Sequence, residues 1–93
     1  MTLGTVMIQL QLPGCRSLKE KRTILKRLTT RIRNDFNVSV SEVDKQDFHQ
    51  SAAIGVAIVS NDRAFANAVL SKVVNRVDRE SECYMQDYTL EFR

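Results

Sequence analysis

Between Ser17 and Asn34 the sequence SLKEKRTILKRLTTRIRN sets seven cations against one acid. Lys19, Lys21, Arg22, Lys26, Arg27, Arg31 and Arg33 are opposed only by Glu20, which gives +6 over 18 residues. The other 75 residues hold 7 basic and 10 acidic groups, a balance of −3, leaving the chain at +3. No acid stands four residues from positions 19, 22, 26 or 33 to neutralise them. Cations in an unpaired row suit contact with phosphates, where each contact releases a condensed counterion. The simpler reading of such a run is the solvated outer face of an amphipathic helix. Like charges at 22, 26 and 33 repel by a few tenths of a kcal/mol per pair, and that cost tips the balance toward an anionic ligand.

The element that positions them is a helix. Ser17 followed three residues later by Glu20 has the spacing of a capping box. At about 100° per residue, Leu18, Ile24, Leu25, Leu28 and Ile32 share an arc of about 120°, and Lys19, Arg22, Lys26 and Arg33 form a stripe beside it. Lys21 falls within the apolar arc; in the first turn its stem is expected to carry the ammonium out to solvent. Arg16, Lys19, Arg22, Lys26, Arg27 and Arg33 are therefore the candidate nucleic-acid-binding residues, with Arg31 at the edge.

Other chemistry is thinner. Cys15 and Cys83 belong to no C-x-x-C or Cys/His cluster, which argues against structural zinc. Two thiols in a cytosolic chain are normally free. His49, the single histidine, with Asp44, Asp47 and Glu42 offers one imidazole and carboxylates spread over a hairpin, a weak metal set. A solvated turn histidine is the simpler reading, with Asp44 and Asp47 serving backbone N–H groups. No catalytic residue, metal or cofactor is expected.

Ninety-three residues make one domain, residues 1–93, with one modest core. Apolar content is 43%, with four Phe, two Tyr and no Trp, which suits a packed fold. A pI near 9.1 makes nucleic acid a plausible partner. No apolar run suggests a membrane span or signal peptide, so the expected location is the cytoplasm.

Residues 2–12 alternate, with Val6, Ile8, Leu10 and Leu12 on one face and Thr5, Met7, Gln9 and Gln11 on the other. Pro13-Gly14 turns into the basic helix. Residues 37–44 read as a second strand, and the broken alternation between Val40 and Val43 predicts a bulge or a twist. Lys45–Gln50 is a polar hairpin connection, and 52–60 is a nearly continuous apolar central strand. After N-cap candidates at 60–62, a helix to about Arg79 turns Phe65, Ala66, Val69, Val73 and Val77 inward. Residues 82–92 form the last strand, with Tyr84, Tyr88, Leu90 and Phe92 expected inward. The order βαββαβ predicts an α+β, ferredoxin-like sandwich: an antiparallel sheet of order 4-1-3-2 with both helices on one face. The bare face, with Met7, Gln9, Ala57 and Val59 and no aromatic, does not suit base stacking of the RRM kind. It suits a homodimer contact better.

The stretches LPGCRSLKEKRTILKRLTTRIRNDFNVSVSEVD and QDFHQSAAIGVAIVSND resemble the small bacterial YlxP-like family, formerly a domain of unknown function, over almost the whole chain. The resemblance implies a ferredoxin-like fold. It also implies a context near translation initiation and ribosome maturation, with RNA or a ribosomal particle as partner; it carries no catalytic residues. A non-catalytic RNA- or ribosome-associated binding protein is thus expected, with a protein-interaction or oligomerisation module as the alternative. A third reading, an acylphosphatase-like enzyme, would seat an anion at Pro13-Gly14-Cys15-Arg16-Ser17 on a helix N-terminus. It lacks a strand amide to position water, because the second strand offers Ser39, Ser41 and Glu42.

Overall fold

The structure is a computed structural model and describes residues 1–93. The chain runs β1 (Thr2–Gln11), α1 (Leu18–Asp35), β2 (Ser39–Asp44), β3 (Ser51–Ser60), α2 (Arg63–Asp78), β4 (Tyr84–Phe92). The strands form one antiparallel sheet in the order β2-β3-β1-β4, the arrangement expected. Alternation places Val6, Ile8 and Leu10 of β1 under the helices, and all three are buried. The facing helix residues are Ile24, Leu25, Leu28 and Ile32 of α1 and Ala66, Leu70, Val73, Val74 and Val77 of α2. Both helices therefore cover one sheet face.

The capping box forms with one change. Ser17 Oγ accepts from the Glu20 N–H at 3.1 Å, while the Glu20 carboxylate accepts from the N–H of Arg16, at 3.4 Å, rather than from that of Ser17. α2 is capped by Asp62, whose Oδ1 accepts from the N–H groups of Ala64 and Phe65.

Three expected core residues lie outside it. Phe65 is 58% exposed. The buried stripe of α2 runs through 66, 70, 73, 74 and 77, and Phe65 sits about 100° away from its start. Tyr84 and Tyr88 are also exposed. The β1–β4 register shifts so that Gln9 pairs with Asp87 but Leu10 with Met85, leaving Gln86 as the extra residue. That bulge puts Tyr84 opposite Gln11, on the uncovered side, and turns Cys83 inward. Tyr88 pairs with the inward residue Ile8, but on an edge strand.

The bulge expected in β2 occurs between Glu42 and Asp44. It turns Val43 onto the uncovered face, directly over Gly55. A Cβ on Gly55 would stand 3.0 Å from Val43 Cγ1, so the glycine is what lets the valine lie down there.

Candidate nucleic-acid interface

Packing sorts the cations of α1 into engaged and free groups. Arg27 pairs with Glu82 and Arg31 with Glu80, both in the α2–β4 loop. Arg33 donates from Nη2 to Val40 O at 2.8 Å, which commits one of its five N–H groups to β2. The side chains of Arg16, Lys19, Arg22 and Lys26 are exposed and make no ion pair or hydrogen bond. On the second helix, Arg76 pairs with Asp35 of α1. The acids of the α2–β4 loop thus take up one flank of α1, and on the flank beside β2 Arg22 and Lys26 have no acidic partner, the one acid there, Glu42, being paired with Lys21. There Arg22, Lys26 and Arg33 line a groove of about 270 Å³ with Ser41 and Glu42. Of the six expected contact residues, five remain available, Arg33 in part. Arg27 is held on the opposite flank.

Lys21 does not reach solvent. It is 1% exposed, and its Nζ donates to Lys45 O at 2.8 Å, Phe48 O at 2.6 Å and Ser51 O at 3.0 Å. These three bonds use every donor of an ammonium. Glu42 Oε2 lies 2.7 Å from Nζ as a fourth oxygen around the ammonium and supplies its counter-charge. Its contribution is Coulombic. A lysine in an arc of Ile and Leu either snorkels or finds buried acceptors, and here the β2–β3 connection wraps over the first turn of α1 and supplies them. Lys21 is thus structural, and the loop Lys45–Gln50 is tied to the helix that carries the free cations.

The remaining candidates separate. Cys15 and Cys83 are both free and buried, and they line one hollow of about 490 Å³ between the β1–α1 turn and the α2–β4 loop. Burial, with Glu80 and Glu82 adding to it, pushes the Cys83 thiol up to about 11. It stays protonated near neutrality and is a poor nucleophile. Glu20, Glu80 and Glu82 line the same hollow, so carboxylates surround the turn where the acylphosphatase reading would seat an anion. His49 is exposed, and the Asp44 carboxylate accepts from the Lys45 N–H at 2.8 Å, as expected for a turn aspartate. No helix is long and apolar enough to cross a membrane.

An antiparallel four-stranded sheet with two helices on one face and the order βαββαβ defines a ferredoxin-like α+β protein. Residues 3–90 match the family described as "Protein of unknown function (DUF503)", and the chain belongs to that family. It is 47% identical over 62 residues, 67% of each chain, to a Bacillus subtilis (strain 168) protein described as "Uncharacterized protein YlxP". The resemblance seen in the SLKEKR and NVSVSEVD segments therefore holds at the level of family and fold.

Proposed function

We propose that this domain is a non-catalytic binding protein for RNA or a ribosomal particle, and that its contact surface is the β2-side flank of α1. The observation that supports the reading is selective neutralisation. Carboxylates from the α2–β4 loop pair with Arg27 and Arg31, while Arg16, Lys19, Arg22 and Lys26 stay exposed without partners. Row repulsion among them is relieved when phosphates dock. Phosphate contacts supply affinity and orientation without reading sequence.

About four phosphate contacts give a log–log slope of affinity against salt of about −3 to −4. Fluorescence anisotropy of a labelled RNA between 0.05 and 0.2 M salt, roughly the range where such slopes are read, measures it. An affinity that does not change over that range rules the surface out.

A second reading has its own observation. The bare sheet face holds a trough of about 620 Å³ bordered by Met7 and Val43, both partly exposed, and floored by Gly55 and Ala57. Apolar side chains around a shallow trough fit a contact between two copies of the chain. Light scattering at micromolar concentration then reads about twice the 10.6 kDa of one chain, and Met7→Glu returns it to one. A wild-type mass of one chain rejects this reading.

A further inference from the structure

The two edges of the sheet differ. β2 is short, six residues with a bulge, and its Val40 carbonyl is taken by the Arg33 guanidinium. β4 runs nine residues without proline or lysine and is the last strand on its side. Leu3 and Arg93 exchange both backbone hydrogen bonds, each at 2.8 Å. In an antiparallel pair such exchanges recur at every second residue. Glu91, Thr89 and Asp87 therefore direct their N–H and C=O groups at β1, and Tyr88, Leu90 and Phe92 direct theirs away from the sheet. The Tyr88 N–H agrees with this, since it donates to Asp87 Oδ1 at 2.8 Å. Edges that must stay single are shortened, bulged or covered. From Asp87 to Phe92 the one guard on the backbone is that carboxylate.

A strand that pairs here must offer a cation opposite Asp87, so that the carboxylate can leave the Tyr88 N–H. The chain itself carries one at the required spacing. With a second copy antiparallel and Leu90 opposite Leu90, Tyr88 faces Phe92 and Asp87 faces Arg93, each twice by symmetry. Other registers fail on charge. Centring on Thr89 sets Asp87 against Glu91, and centring on Glu91 sets that carboxylate against its own copy. We propose that β4 pairs with β4 of a second copy in the Leu90-centred register, joining two four-stranded sheets into one. About six backbone hydrogen bonds form, two for each facing pair. The Arg93 guanidinium is 78% exposed and only 3.8 Å from its own Glu91, so it can reach the partner's Asp87 as well. Tyr88, left exposed on the edge of the single chain, gains the partner's Phe92 as a cross-strand neighbour. The contact is separate from the bare-face trough and rests on neither reading above. It leaves β2 and the α1 flank at the two outer edges of the joined sheet.

Sedimentation velocity from about 1 μM to about 1 mM, the span of weak association, is expected to show the wild type passing from one chain of 10.6 kDa to two. Arg93→Asp sets carboxylate against carboxylate at both sites and raises the dissociation constant at least about 10-fold. Asp87→Arg does the same with two guanidinium groups. Mixed in equal amounts, the two variants should form a heterodimer near the wild-type affinity, because every facing pair is again of opposite charge. Met7→Glu, on the bare face, should leave the dimer intact. All three side chains are exposed, so unfolding midpoints should hold. A wild type that stays one chain throughout overturns the proposal, as does a mixture that fails to associate. Loss of the dimer in Met7→Glu with its retention in Arg93→Asp also overturns it and places the contact on the bare face.

Discussion

Lys21→Met is expected to lower the unfolding free energy by about 3–5 kcal/mol, the usual cost of removing one partner from a buried charged network. The substitution keeps an unbranched apolar stem of similar length, with sulfur in place of the δ-methylene, and removes the ammonium. Three carbonyls, of Lys45, Phe48 and Ser51, then lose their donor, and Glu42 loses its counter-charge. The loop cannot simply turn them to solvent, because Ser51 opens β3 and its neighbour Ala52 is fully buried. Domains of this size hold about 5–15 kcal/mol in all, so the melting temperature should fall by at least about 12 °C. Lys21→Arg should not rescue it, since a planar guanidinium fork does not match three converging carbonyls. Adding Glu42→Gln should restore only part of the loss, because the carbonyls remain unpaired. Lys19→Met, two residues away and exposed, should stay within about 0.5 kcal/mol of wild type. Urea unfolding of the four variants measures this, and equal midpoints for the Lys19 and Lys21 variants would show that the buried ammonium contributes nothing.

Arg22→Glu/Lys26→Glu should cost at least about 100-fold in RNA affinity. A unit pair at about 4 Å in water is worth about 1 kcal/mol, so each reversal swings the interaction by about 2 kcal/mol. Two of them approach a 1,000-fold loss, which salt screening reduces. The control must match the change in net charge, from +3 to −1. Lys72→Glu/Arg79→Glu does so on α2 and at its C-cap, where both residues are exposed. That pair should weaken binding by far less. If the two double variants bind RNA equally poorly, the protein responds to overall charge and the α1 flank has no special part. Anisotropy at about 0.1 M salt reads both, with unfolding midpoints checking that each variant folds. Neither α1 reversal disturbs an intramolecular pair, because neither side chain has one.

The order of elements, the sheet order, the inward set of β1 and the buried stripe of α1 were all legible in the sequence. Each follows from a short-range period, two residues for a strand and about 3.6 for a helix. So does the N-cap, set by Ser17 and Glu20 within one turn. The bulge near Val43 was also legible, as a break in alternation. The second bulge, at Gln86, was not, because Tyr84 and Tyr88 keep the same period that a regular strand would show. Only pairing with β1 reveals the extra residue. Phe65 was missed for a related reason: its apolar character suggested the core, but its angular place on α2 excluded it.

The excess of positive charge on residues 17–34 is a property of the sequence alone. Which of those charges remain free is a property of the folded chain. Arg27 and Arg31 meet Glu82 and Glu80 across some fifty residues, and Lys21 meets carbonyls on a loop more than twenty residues away. Helical periodicity specifies which cations share a stripe; it does not specify which acids or carbonyls the sheet will bring against them. Coulomb and hydrogen-bond terms act over a few ångströms of space whatever the separation along the chain, so the division between structural and available cations appears only once β2, β3 and the α2–β4 loop have closed around α1.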